Sequence, residues 1–236
     1  MICKIADLIA QIPTADGLAV RCKDYMWDES AKPDIVVDRA LYRPQLYDPR
    51  IPHNSMAFLE AAAQFYRQLL SFDGFYLHSS AVVRDGKAYL CSGHSGAGKS
   101  THTRLWLDTF GGDTRVINDD KPALRCIDGV WYAYGTPWCG KDGIHLNEKA
   151  PLAGICFVVK APHNRIRRLS PAEASQKILG QTMHRMQEVQ YLDALFGHLQ
   201  KLLAQIPVYE LENLPVPDAA QLSYETMLQG TLEANL

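Results

Sequence analysis

The stretch FYLHSSAVVRDGKAYLCSGHSGAGKST, residues 75–101, decides the fold. Strand-like runs flank Asp85 and Gly86, the dipeptide best suited to a two-residue type I′ hairpin turn. Counting outward from that turn sets Arg84 opposite Lys87, Val82 opposite Tyr89 and, at the far end, His78 opposite Gly93. Gly93, four further residues, then Gly98, Lys99 and Ser100 match the phosphate-binding pattern GxxxxGK[ST]. From average residue usage, that pattern arises by chance in about one chain in a hundred of this length, so it warrants a search for the rest of a site.

The flanks agree with such a loop. KAYLC, residues 87–91, reads as a strand, and STHTRLWLDTF, residues 100–110, reads as a helix with Leu105, Trp106 and Phe110 on one face, ended by Gly111 and Gly112. In a turn of this kind, glycines let backbone amides face phosphate oxygens and the helix N-terminus adds a favourable dipole. Gly93, His94, Ser95, Gly96, Ala97, Gly98, Lys99, Ser100 and Thr101 are therefore the expected ATP-binding residues, with Lys99 neutralising the outer phosphates and Ser100 offering its hydroxyl to Mg²⁺.

Magnesium held by one hydroxyl and phosphate oxygens calls for a protein carboxylate nearby. RVINDDKPALRCIDGVWYAYGTPWCGK, residues 115–141, supplies Asp119 and Asp120 after a short apolar run. It continues into a second hairpin at Asp128 and Gly129, which sets Cys126 opposite Trp131 and brings Asp120 toward Pro137. That hairpin returns the GTPWCGK loop, residues 135–141, toward the acidic pair, where Lys141 would balance transferred phosphoryl charge. Two adjacent carboxylates can divide the work, one on the metal and one near the acceptor hydroxyl as base. His78, carried by the first hairpin to the start of the glycine loop, comes within reach of phosphate or metal.

Elsewhere the patterns are structural. Residues 1–53 form a small N-terminal extension with extended-looking pieces such as GLAVRC (17–22) and DIVVD (34–38), and residues 54–236 form the main domain. SMAFLEAAAQFYRQLLSF, residues 55–72, reads as a helix with Leu59, Ala62, Ala63, Tyr66 and Leu70 on one side. PLAGICFVVKA (151–161) reads as a buried strand, and LSPAEASQKIL (169–179) as a helix capped by Ser170, Pro171 and Glu173. Residues 183–205 read as a long helix whose His184 and Arg185 lie on the surface, PVYELE (207–212) as a strand, and 217–230 as a last helix opened by Asp218 and closed by Gly230. HNRIRRL, residues 163–169, sets Arg165 and Arg167 on one strand face, suited to a phosphate or acidic partner or else to a solvated sheet edge.

Composition narrows the class. A chain of 236 residues with 47% hydrophobic and 21% charged residues is ordinary for a globular protein, and a net charge of −2 gives no footprint of a nucleic-acid or membrane partner. The six cysteines follow no metal or disulfide spacing and are read as reduced and structural. No signal peptide or membrane span is expected, which suggests a cytoplasmic location.

Residues 75–101 followed by INDD (117–120) resemble the catalytic domain of the HPr kinase/phosphorylase family and, less closely, ATP-dependent phosphoenolpyruvate carboxykinase. Both carry a histidine one hairpin upstream of a GxSGxGK[ST] loop and an Asp-Asp pair after the following helix. The resemblance covers residues 75–122 and, more vaguely, the remainder. It implies an α/β phosphate-loop fold with a mixed central sheet, β-hairpins and flanking helices. It also implies that Asp119 is the base and Asp120, with Ser100, the metal ligand, the two acids being interchangeable at this stage. Thr101 after the loop and YGTPWCGKDG (134–143) downstream depart from the kinase pattern, and the chain is far shorter than a carboxykinase.

The activity so implied is ATP- and Mg²⁺-dependent transfer of the γ-phosphoryl group to a hydroxyl, a protein or peptide serine being favoured by the resemblance. In the catalytic set, Asp119, His78, Lys99 and Lys141, the histidine positions phosphate or metal. A small-molecule kinase of the same fold and a nucleotide-binding regulator with little turnover are the alternatives. The resemblance also implies that the reverse dephosphorylation is open to this fold, and a homo-oligomer is a further expectation.

Overall fold

The computed structural model describes residues 1–182 and 189–234. It opens with a hairpin, β1 (Ile2–Ile5) and β2 (Leu8–Gln11), turned by Ala6 and Asp7 at φ 53° and 58°. A one-turn helix α1 (Leu18–Arg21) and a short strand β3 (Ile35–Val36), parallel to β2, follow. GLAVRC is thus helical rather than extended: Gly17 in the left-handed region starts a single turn that buries Leu18 and leaves the β-branched Val20 in solvent.

Helix α2 (His53–Leu69) leads into β4 (Gly74–Tyr76), then the hairpin β5 (Ser79–Arg84) and β6 (Lys87–Ser92). Helix α3 (Lys99–Phe110), β7 (Arg115–Asn118), β8 (Ala123–Ile127) and β9 (Val130–Tyr134) come next. The long strand β10 (Lys149–Lys160), β11 (Arg165–Arg168), α4 (Pro171–Leu179), α5 (Val189–Leu203), β12 (Val208–Asn213) and α6 (Pro217–Ala234) complete the chain. The expectations for His184 and Arg185 lie outside the described residues.

Among the described residues nine strands make one mixed sheet in the order β4-β8-β9-β10-β6-β5-β7, with β12 and β11 continuing from β10. Strand β10 joins its halves: residues 149–151 pair antiparallel with β9, while residues 152–160 lie parallel to β6 and β12. Both hairpins hold the register counted from their Asp-Gly turns, with Arg84 opposite Lys87, Val82 opposite Tyr89 and Cys126 opposite Trp131.

Alternation along β5 and β6 assigns the two faces. Ala81, Val83, Ala88 and Leu90 join the cluster under α4 and α5, whereas Val82 and Tyr89 join Trp106 of α3 and Met227 of α6. Helices on both faces make the protein a mixed α/β sheet structure. Each fully buried large apolar side chain contributes about 1.5–3 kcal/mol, so neither face could be stripped of its helices without exposing a core. A third cluster joins the N-terminal strands and α1 to Phe65, Tyr66, Tyr134 and Trp138. Among the described residues no helix is long and apolar enough to cross a membrane.

Two helical details differ from the pattern reading. Helix α2 starts at His53 and turns Met56, Ala57, Ala61, Phe65 and Leu69 inward beside Ala62 and Tyr66, leaving Leu59 and Ala63 half-buried. A sheet on one side and the N-terminal strands on the other widen its buried face. Helix α6 runs through Gly230 to Ala234, because that glycine serves a close approach: a Cβ there would lie 1.8 Å from the Tyr209 hydroxyl. The Ser170 capping box of α4 forms as its sequence requires.

Candidate functional site

The glycine turn runs from the end of β6 to the first residue of α3. Gly93, Gly96 and Gly98 have φ of 145°, 77° and 102°, values that a side chain would strain. The amides of Ser95, Gly96, Gly98, Lys99 and Ser100 have no acceptor among the described residues, as expected for a loop feeding a helix N-terminus. Lys99 folds back over the turn, its Nζ donating to the carbonyls of Gly93 (2.8 Å) and His94 (3.2 Å). Burial lowers the pKa of its ammonium, while the negative charge of Asp120 opposes that shift.

The acidic pair sits in a turn held by side chains. Asn118, fully buried at the end of β7, accepts the amides of Asp120 (2.9 Å) and Lys121 (2.7 Å) on Oδ1. Its Nδ2 donates to the Thr136 carbonyl (3.0 Å) and hydroxyl (3.2 Å). The hydroxyls of Thr136 and Tyr66 both donate to the Lys121 carbonyl. Asp119 Oδ1 accepts the Gly140 amide at 2.7 Å, and a Cβ on Gly140 would stand 3.0 Å from the same carboxylate, so a larger residue would press the carboxylate to shift.

The neighbouring carboxyls are driven apart in acidity. Burial pushes Asp119 up; the Gly140 amide opposes this and the charge of Asp120 adds to it. At Asp120 burial acts in the same direction, but the His78 hydrogen bond and the Lys121 ammonium outweigh it and hold the carboxyl at about 2. His78 Nε2 lies 3.1 Å from Asp120 Oδ1, and Nδ1 lies 3.1 Å from Gln181 Oε1. The hairpin ladder ends at Ser79 and Ser92, one pair short of the extrapolated His78 and Gly93, and Ser92 Oγ donates to the His78 carbonyl at 2.8 Å.

These groups line one cavity of about 450 Å³: His78, Ser95, Gly96, Gly98, Lys99, Ser100 and Thr101 with Asp119, Asp120 and Lys141. Three expected loop residues are absent from its lining. Gly93 and His94 border a neighbouring cavity, and the Ala97 amide is spent inside the turn on the His94 carbonyl at 3.1 Å. Arg165 and Arg167 do not line this cavity; they pair across the sheet edge with Glu212 at 2.7 Å and Glu210 at 3.0 Å, and Arg167 also meets Glu173.

Sequence reasoning passed over Asn118, Gly140, Gln181 and Lys160, the last of which also lines the cavity. Asn118 did carry a signal, being an Asx residue directly before the acids and able to cap its own following amides. Gln181 and Lys160 carry none, since only the tertiary fold brings them here.

The donor set bears on a metal. Among the described residues no group of three or more His, Cys, Asp or Glu side chains could hold an ion unaided. Ser100 and Asp120 on one cavity instead suit magnesium, which keeps few protein ligands and completes its shell with phosphate oxygens and water.

No family model matches the chain, and no curated protein matches it. Among solved structures, the chain resembles the Hpr(Ser) kinase/phosphatase from Coxiella burnetii at 15% identity and a TM-score of 0.35, over 66% of this chain and 94% of that one. The likeness is distant and concerns the fold alone.

Proposed function

We propose that the protein is a Mg²⁺-dependent phosphotransferase that moves the γ-phosphoryl group of ATP to a hydroxyl acceptor. The observation that carries this reading is convergence: an amide-rich turn, an ammonium, a metal-suited hydroxyl, two carboxyls of opposite tendency and an imidazole line a single cavity. The unpartnered loop amides and Lys99 would bind the phosphates, and Ser100 with Asp120 would hold the metal. Magnesium, when bound, neutralises developing phosphate charge. Asp119, the less acidic carboxyl, would take the proton of the acceptor hydroxyl as its oxygen bonds to phosphorus and the bond to ADP breaks. His78 would keep Asp120 oriented, and Lys141 would balance charge at the transferred group.

The resemblance of residues 75–122 supports a protein or peptide serine as acceptor. A small-molecule acceptor is the second reading, favoured by residues 140–142 lining the cavity rather than standing clear of it. Incubation with γ-labelled ATP, Mg²⁺ and cell extract tests both. A labelled protein band that falls about 10²–10³-fold in Lys99→Ala is expected. Label confined to small metabolites would favour the second reading, and a protein that binds ATP without releasing ADP under any of these conditions would end both.

A further inference from the structure

Residues 1–52 have no part in the chemistry proposed above, yet one face of their helical segment is spent on the active site. Helix α1 runs into a 3₁₀ turn (Lys23–Tyr25), so Arg21, Asp24 and Tyr25, at i, i+3 and i+4, come out on one side. All three touch the chain around Lys141. Arg21 Nη1 donates to Cys139 Sγ at 3.2 Å. The Asp24 carbonyl accepts Asn147 Nδ2 at 3.0 Å, and the Tyr25 hydroxyl meets His145 Nδ1 at 3.2 Å while the two rings stack at 5.6 Å.

The segment making these contacts is itself fixed. Leu18, Cys22 and Tyr25 are buried in the cluster that also holds Trp138, whose ring lies 4.6 Å from Phe65. Between residues 139 and 145 the chain makes a tight turn, in which Gly143, at φ 70°, donates its amide to the Gly140 carbonyl at 3.2 Å. Lys141 and Asp142 occupy the exposed tip and line the site cavity. A turn so exposed has few contacts of its own, and its position is set by its two flanks.

Both flanks bear on the base. On one, Cys139 directly precedes Gly140, whose amide lies 2.7 Å from Asp119 Oδ1. On the other, His145 bridges Asn118 in antiparallel fashion and Leu146 donates to the Ile117 carbonyl at 3.0 Å. The strand end that carries Asp119 is thus paired with the residues beside which Tyr25 and Asp24 stand. We infer that the N-terminal segment is a clamp on the acceptor side of the active site, with Arg21 and Tyr25 as positioning residues that hold Asp119 and the Lys141 turn for phosphoryl transfer, an inference that rests on the phosphotransferase reading. None of these contacts involves the glycine turn, so loosening the clamp separates chemistry from nucleotide binding. Misplacing a reacting group by about 1 Å can cost about 10²-fold in rate.

Two substitutions loosen it with little change of shape. Tyr25→Phe removes the hydroxyl and keeps the buried ring, and Arg21→Met removes the donor and keeps an apolar chain over Phe58, which the guanidinium covers at 4.6 Å. In the full chain without nucleotide, hydrogen exchange in the double variant should quicken about tenfold across residues 138–146 and stay unchanged across residues 87–98. With γ-labelled ATP, Mg²⁺ and cell extract, its maximal rate of label transfer should fall about tenfold while KM for ATP stays within about twofold. The same pair placed in Asp119→Asn should cost little more, because the base they position is gone. Where the double variant unfolds, each single variant carries the test, with effects of about threefold. Unchanged exchange, an unchanged rate, a loss confined to KM for ATP, or a loss that multiplies in full with Asp119→Asn overturns the clamp and leaves the phosphotransferase standing. A wild type that transfers no label overturns the reading beneath it, whatever the exchange shows.

Discussion

The glycine turn and the acidic turn face each other across one cavity but are held in different ways. Residues 93–98 take their shape from glycines at positive φ, and their anchorage comes from the helix they open. Residues 118–121 take theirs from a side-chain network that draws Tyr66, Thr136 and Gly140 from distant parts of the chain. One half of the site is built by local backbone permission, the other by long-range hydrogen bonds. Damage should therefore spread differently from each.

The largest contrast is expected from Asp119→Asn, which keeps the shape of the acidic turn and removes its base. Phosphoryl transfer should fall about 10²–10⁴-fold with ATP affinity retained, measured by transfer kinetics beside nucleotide titration. In the wild type, transfer should rise with pH as Asp119 loses its proton, along a limb that burial shifts upward from that of an ordinary aspartate, and the variant should lack that limb. Equal losses of transfer and ATP binding would mean that the two halves are not separable.

The helix that carries the glycine turn supplies the next test. His102 is fully buried between Asn213 Oδ1 (3.1 Å) and Ser223 Oγ (3.0 Å) and receives Trp106 Nε1 at 3.1 Å. Burial lowers its pKa from 6.5 to about 4, so folding keeps the ring neutral where the unfolded chain would protonate it. Stability from this source is complete above pH 6.5 and is lost as pH falls toward 4, by about 3 kcal/mol in all. Urea unfolding across that range should show the loss, and His102→Gln should flatten it.

Two smaller effects probe the acidic turn itself. Asn118→Ala leaves the Asp120 and Lys121 amides without their acceptor and should cost about 2 kcal/mol in urea unfolding. Gly140→Ala presses a methyl group on the Asp119 carboxylate and should lower transfer about tenfold while leaving the urea midpoint near that of wild type. A Gly140→Ala variant as active as wild type would show that the close approach is incidental.

The same contrast explains what could be read from the amino-acid sequence. The glycine turn, both Asp-Gly hairpins and the Ser170 cap depend on residues a few positions apart, and their geometry follows from those residues. Asp119 and Asp120 were legible as the carboxylates that a magnesium-bound phosphate calls for, and His78 because the first hairpin carries it toward the glycine turn. The partners that orient them were not, since nothing near Gln181 or Tyr66 announces a contact with His78 or the acidic turn. The first hairpin escaped notice for the opposite reason. Its turn places Ala6 and Asp7 at positive φ without a glycine, a conformation that tertiary packing sustains and local propensity does not suggest. The N-terminal segment then proves to touch the chain on both sides of Lys141: Arg21 donates to Cys139 Sγ at 3.2 Å, and Tyr25 meets His145 at 3.2 Å.

Strand β10 carries a further consequence, one of assembly order. It lies between β6, which ends at the glycine turn, and β12, with Leu152 paired to Ala88 and Ile155 to Val208. Contacts so remote along the polypeptide close late and slow the search for the native arrangement. During synthesis the strand leading into the phosphate cradle must therefore wait for most of the chain to emerge, and a ribosome halted before residue 208 would leave β10 as a bare, apolar edge open to pairing with another molecule.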